Sequence, residues 1–390
     1  MRFIKTNWVK VRLAEVCTKA KCVDIRKKSG IFNYIDIGSI DSISKRISTI
    51  QQIEWAKASS RARQVIRKGD ILFSTVRVNL ERIAFVDKDM SDGIASTGFT
   101  VLRSNGQIVP EYLFYSTISP KFIDNLIHSQ KGTAYPAVTD KIVLNEEIYL
   151  PPIEEQKLIA SLFQSIEKYI EQIIIQERSL KLIWINLIND FVSEKPLFGN
   201  LIKSNNLRLV RYSEVTRKVM QRIDPMAYGI EKIVAGENLE SEDFKIRTWQ
   251  NIGEGYLGPA FHVLFKPGDI LYGSRRTYLK KVAVPDFEGV CANTTYVIRA
   301  KEDILLQSLL KHIMVSDRFT QYSIGVSKGS TNPYINWKDL DNFKFHIPDI
   351  ATQLEIVNVL DGIVGLIEDL KDQKLKMKVL KQNLLNEIIG

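Results

Sequence analysis

Metal and redox chemistry have little to work with in this chain, which carries three cysteines and four histidines in 390 residues. Cys17, Cys22 and Cys291 form no C-x-x-C pair. His128, His262, His312 and His346 are scattered, without an H-x-x-x-H or H-E-x-x-H cluster. No metal site and no cofactor are therefore expected. No Walker lysine loop is present, so ATP-driven translocation is not encoded. No run approaches the roughly 18 uncharged apolar residues of a membrane span. The opening MRFIKTNWVKVRLAEVC lacks the apolar core of a signal peptide. A cytoplasmic location with no membrane partner is expected.

Three near-matches to catalytic motifs fail on context. GEGYLG from Gly253 satisfies G-x-G-x-x-G, but Pro259 and the strand-like AFHVLF follow it. A dinucleotide site needs those glycines between a strand and a helix. NPYI from Asn332 is near the [ND]-P-P-[YF] loop of amino-methyltransferases, yet the second proline is missing and no S-adenosylmethionine glycine loop precedes it. The Asp/Glu-x-Lys triplets Glu155–Lys157 and Asp369–Lys371 lie on helical patterns rather than strands, unlike a metal-dependent nuclease centre. No enzyme signature survives, and no catalytic residue is expected.

What the chain does have is written twice. RKGDILFSTVRVNLERIAFV from Arg67 returns as KPGDILYGSRRTYLKKVAVP from Lys266, an offset of 199 between the glycines (268 − 69 = 199). GIASTGFTVLR from Gly93 returns as GVCANTTYVIR from Gly289 (289 − 93 = 196). KGTAYPAVT from Lys131 returns as KGSTNPYIN, and LPPIEEQKLI from Leu150 as IPDIATQLEI, both at 197 (328 − 131; 347 − 150). Two copies of one large unit account for the chain, which is not the short period of a solenoid.

Within each copy, short β-rich runs broken by Gly, Asn and Asp read as an α+β globule, at 1–150 and again at 196–346. Segments 151–195 and 347–390 read as long helices. Apolar residues recur every seven, at Ile159, Ile166, Ile173, Leu180 and Leu187, and at Ile356, Ile363, Leu370, Met377 and Leu384. Three residues on, Leu162, Tyr169, Gln176 and Ile183 answer Val359, Leu366, Gln373 and Leu380. Such heptads predict two antiparallel helices in a coiled coil about a pseudo-two-fold axis, each about 60 Å long. Gln176 and Gln373, near the midpoint, are predicted to form a buried polar pair that fixes register.

A net charge of +9 suits a polyanionic partner. Basic and polar residues fall at equivalent places in both copies. Arg61, Arg63 and Arg77 surround the first GDIL segment, and Arg275, Arg276, Tyr278 and Lys280 follow the second. Lys131, Thr133 and Tyr135 lie in the first K-G-[ST] loop, and Lys328, Ser330, Asn332 and Tyr334 in the second. Arg and Lys contact phosphates or guanine edges, Asn bonds adenine, and aromatics pack on bases or sugars. These fourteen residues are the predicted DNA contacts.

The whole chain resembles a specificity subunit of a type I restriction-modification system. SSRARQVIRKGDILFSTVR, GIASTGFTVLR, the Gly132 loop and LPPIEEQKLIASLF carry the resemblance. The second copy departs from it, with Asp349 for the second Pro and Thr352 for the Glu. The resemblance implies a non-catalytic subunit in which two target recognition domains alternate with two long conserved helices. Each domain would bind one half of a bipartite site in double-stranded DNA. The helices would set the spacing and grip two methyltransferase subunits, which carry S-adenosylmethionine, with restriction subunits as further partners. The alternatives are a methylation-only or type IIB-like specificity component, and a coiled-coil scaffold whose globules bind protein.

Overall fold

The computed structural model describes residues 5–90, 92–132, 136–193, 207–253 and 260–390, apart from the side chains of Thr6 and Ile25. The protein divides into two compact units, 1–174 with 372–390, and 175–371. The two cuts are themselves one repeat apart (371 − 174 = 197). Each unit thus holds one globule, half of the central helix Ile153–Phe191 and half of the C-terminal helix Ile350–Leu384.

The first globule is built on two four-stranded sheets. One is antiparallel, in the order Cys17–Lys19, Phe99–Ser104, Ile71–Ser74, Ile83–Phe85. The other runs Gln51–Glu54, Ile31–Ile35, Gly93–Ser96, Ala62–Val65, with its middle pair parallel. A ribbon of Val9–Arg12 and Glu147–Leu150 closes the globule where the chain leaves for the helix. The second globule repeats both four-stranded sheets, including the parallel middle pair, Lys232–Val234 with Gly289–Ala292. Its closing ribbon is Arg208–Arg211 with Lys344–Ile347.

The echoed phrases meet across the antiparallel sheet. Ile71 faces Leu102, which sets Asp70 beside Arg103. The Asp70 carboxylate accepts from Arg103 Nε at 2.8 Å and Nη2 at 2.7 Å, and from the backbone N–H of Arg67 at 2.9 Å. In the second unit Ile270 faces Ile298, and Asp269 receives Arg299 Nε, with Nη2 at 3.0 Å and the Lys266 N–H at 2.8 Å. Such bidentate pairs are strong because two charge-assisted bonds share one geometry. The Asp of GDIL and the closing Arg of TVLR or YVIR are therefore structural.

The Gln of each helix start is also structural. Gln156, buried, accepts from Val109 N–H at 2.8 Å and donates to the Pro151 carbonyl at 2.8 Å. Gln353, also buried, accepts from Leu306 N–H at 3.0 Å and donates to the carbonyls of Ile304 and Pro348, each at 2.9 Å. Glu155 is held by the Trp8 indole N–H at 2.9 Å. This Gln docks the helix on its own globule, and both copies keep it, together with the first Pro and the Ile of the motif.

Each unit pairs its two helix halves. In the first, Ile159, Phe163 and Ile166 share a core with Leu385, Ile388 and Ile389, and Lys381 Nζ meets Glu167 Oε1 at 2.5 Å. In the second, Trp184, Ile188 and Phe191 share a core with Ile356, Leu360 and Ile367. Rising numbers on one helix meet falling numbers on the other, so the pairing is antiparallel. The buried second stripe lies four residues from the first rather than three. It runs Phe163, Ile170, Glu177, Trp184 and Phe191 on one helix, and Leu360, Ile367, Lys374, Lys381 and Ile388 on the other, buried or half-buried throughout. Of the predicted row only Leu162 stays half-buried against the first core; the rest turns outward, and Gln176 and Gln373 are exposed rather than buried. The predicted register device is thus corrected, since an exposed amide carries no desolvation cost that could penalise a slipped pairing. By length and composition the C-terminal helix is apolar enough to cross a membrane. Its Ile356, Val357, Leu360 and Ile367 are nevertheless buried in the second unit's core.

Where the helix halves meet the second globule, Trp184 Nε1–H donates to His312 Nδ1 at 3.1 Å, and His312 Nε2 lies 2.8 Å from Asp361 Oδ1. Indole nitrogen only donates, so Nδ1 must be unprotonated and Nε2 carries the hydrogen. Burial holds the imidazole pKa below its ordinary 6.5, against the opposing pull of Asp361. The unfolded chain therefore binds more protons below that value, and stability should fall as pH drops through about 6.5. Thermal melts at pH 7.5 and 5.5 should show a larger loss for the native chain than for His312→Gln. An equal loss in both would clear His312 of the effect.

Candidate nucleic-acid interface

The second GDIL strand and its first-copy counterpart each end in the same unusual turn. Arg77 and Arg276 take left-handed backbone conformations, φ 51° and 50°, and so do Glu81 and Lys280 at the far side of a single 3-10 turn, both at 48°. A side chain with a Cβ in that region costs about 1–2 kcal/mol, so the surroundings must hold it there. Both units do so with a proline carbonyl. Arg77 N–H donates to Pro136 O at 2.7 Å, and Arg276 N–H donates to Pro333 O at 2.7 Å.

Those prolines belong to the K-G-[ST] loops, so the two segments singled out by the repeat come together in each unit. Val76 bridges Ala137, and Arg275 bridges Tyr334, while Lys131 and Lys328 close the same loops from the other side. Arg61 joins the first cluster through backbone bonds: Thr97 N–H to Arg61 O at 2.8 Å, then Thr75 N–H to Gly98 O at 3.0 Å. In the second unit Ala260 takes the place of Arg61, accepting Asn293 N–H at 3.0 Å. The scaffold is kept while the side chain it presents is changed.

The predicted contacts sort accordingly. Arg61, Arg63, Arg77, Lys131, Arg275, Arg276, Tyr278, Lys328, Ser330, Asn332 and Tyr334 are exposed. Arg63 Nε donates to Ser60 O at 2.9 Å, and Lys328 Nζ lies 3.4 Å from Asp339, at an exposed surface where such a pair is weak. Thr133 and Tyr135 lie outside the described residues, as does the interior of GEGYLG. Lys280 is corrected. Its side chain is 13% exposed and its ammonium is engaged by Glu242 at 3.2 Å and Asp317 at 2.6 Å, leaving little of it for a phosphate.

Among the described residues no cluster of His, Cys, Asp and Glu could hold a metal ion. Burial pushes the thiols of Cys17 and Cys291 up to about 12, so neither is a nucleophile at neutral pH. Sequence reasoning missed the left-handed arginines, because arginine is not a residue whose identity signals positive φ.

A family model described as the type I restriction modification DNA specificity domain matches residues 5–178 and 229–378. The type I restriction enzyme MjaVIII specificity subunit of Methanocaldococcus jannaschii is 25% identical over 345 residues, 83% of this chain and 79% of that protein. A chain solved in work on complex assembly and conformational transition of the type I R-M system aligns at TM-score 0.64 and 26% identity, covering 99% of this chain and 98% of that one. A type I restriction-modification S subunit from M. genitalium aligns at TM-score 0.56 and 11% identity over 100% of this chain and 98% of that one, a likeness of fold alone.

Proposed function

The chain belongs to the type I restriction-modification DNA specificity family, and from that premise we propose how its two units divide the work. It is the DNA-specificity subunit of such a system. Each unit binds one half of a bipartite site in double-stranded DNA, and the chain itself catalyses nothing. The observation that carries this is the pair of left-handed arginine turns, one per unit, each pinned by the proline of a second loop. Strained, over-determined backbone of this kind gathers at functional sites. Divergence around an unchanged turn is what two readers of different bases require. We place the complex in the cytoplasm, where its DNA lies.

The partners are two methyltransferase subunits, with restriction subunits as further partners. What supports docking on the helices is the outward row at heptad spacing. Tyr169 is 44% exposed and its counterpart Leu366 54%, and Ile183 and Leu380 continue the row exposed. Apolar side chains at matching exposed places in both copies fit one surface offered twice to one kind of partner.

Arg276→Ala is expected to weaken DNA binding by about 1–3 kcal/mol if the side chain reads a base, and selectively for one half-site. If it touches phosphate, the loss should be similar on all sequences, and the salt slope should fall by about one. Titration of random and site-bearing duplexes at several salt concentrations separates the two. Unchanged affinity and salt slope would remove Arg276 from the interface. Methyl transfer by the purified chain without its methyltransferase would overturn the non-catalytic reading.

A further inference from the structure

We propose that Lys45-Arg46 in the first unit and Glu242-Asp243 in the second are positioning residues that tie each arginine turn to a long helix. The two dipeptides are equivalent (242 − 45 = 197), and Lys45 and Glu242 share the left-handed conformation, φ 55° and 54°. This inference rests on the reading of Arg77 and Arg276 as DNA contacts.

The first residue of each dipeptide clamps the turn. Lys45 Nζ lies 2.6 Å from Glu81 Oε2 and donates to the Glu81 carbonyl at 2.9 Å, and Glu81 ends the turn that Arg77 begins. Glu242 Oε1 lies 3.2 Å from Lys280 Nζ, and Lys280 ends the turn that Arg276 begins. The second residue reaches a helix. Arg46 meets Glu171 at 3.1 Å. Asp243 meets Lys371 at 2.6 Å, and Arg247 joins Asp243, at 2.6 Å, to Glu368. Glu171 and Glu368 are again one repeat apart (368 − 171 = 197).

Both charges of the shared pair, Lys45 with Glu81 and Glu242 with Lys280, are reversed between the units. Asp317, which also holds Lys280, stands where the first unit has Pro120 (317 − 197 = 120). A side chain that contacted phosphate could not change sign without turning attraction into repulsion. An internal pair depends only on the product of its two charges, which survives reversal of both. The interchange therefore marks these residues as facing each other. It also makes the clamps non-interchangeable, since a Lys280-type turn beside Lys45 would set two ammonium groups together.

The test uses the full chain expressed with its methyltransferase, with site methylation read by sequencing of host DNA and folding followed by thermal melting. Glu81→Lys or Lys45→Glu should lower methylation by about tenfold with little change in melting temperature. The double variant K45E/E81K should restore more than half of it. Unchanged methylation in the single variants, while Arg77→Ala abolishes it, would overturn the clamp. So would a double variant that melts like the native chain yet leaves methylation at the level of the single variants. If Arg77→Ala has no effect but the charge-swap cycle holds, the arginine reading fails and the clamp stands.

Discussion

Asp70→Ala is expected to destabilise the first unit by about 3–5 kcal/mol, because it strands a guanidinium in a site built for a carboxylate. The Arg103 side chain is 12% exposed and Asp70 1%, so neither solvent nor another described ion pair compensates. The Arg67 N–H loses its acceptor as well. Asp269→Ala should cost less, since Arg299 is 34% exposed and water can reach its free end. Urea unfolding of the two variants checks the order, and a cycle with Arg103→Leu checks the cause. The double variant D70A/R103L should be more stable than D70A alone. A loss below about 1 kcal/mol for Asp70→Ala would mean that strand pairing, and not the ion pair, maintains the repeated phrase.

That ion pair shows where the sequence could be read and where it could not. Both halves of it stood in the two phrases whose repetition revealed the duplication. Joining them needed the strand order, which sets Ile71 against Leu102 thirty-odd positions away and leaves Asp70 beside Arg103. The same limit applied to the helices. Leu162 and Phe163, Tyr169 and Ile170, and Ile183 and Trp184 are adjacent apolar pairs, so a second stripe at three or at four residues fits the pattern equally. Packing chose four, burying Phe163 and Trp184 against the globules' helices and turning Tyr169 and Ile183 outward. Lys280 was legible as a cation near an arginine, but its partners Glu242 and Asp317 lie 38 and 37 positions away (280 − 242; 317 − 280), on elements that only the fold brings up. The repeated phrases were legible because they came in two copies. The ion pairs that join them were not, because their partners are distant in sequence and only the strand order and loop packing bring them together.

The row that packing turned outward carries the second large effect. Tyr169→Asp and Leu366→Asp are each expected to remove one methyltransferase subunit from the assembled complex, and the two together to remove both. The two positions are one repeat apart (366 − 169 = 197) and exposed, so neither substitution should change the chain's own stability by more than about 0.5 kcal/mol. At an interface the same change forfeits about 1.5–3 kcal/mol of apolar burial and adds the cost of desolvating a carboxylate. Together these correspond to a loss of affinity of at least about thirtyfold. Mass measurement of the complex copurified from a host expressing both proteins gives the stoichiometry directly. The expected result is two methyltransferases per native chain, one per single variant and none for the double. DNA affinity of the unaccompanied chain should stay unchanged, because the arginine turns lie elsewhere in each unit. A double variant that still copurifies with two methyltransferase subunits would move the docking surface off the helices.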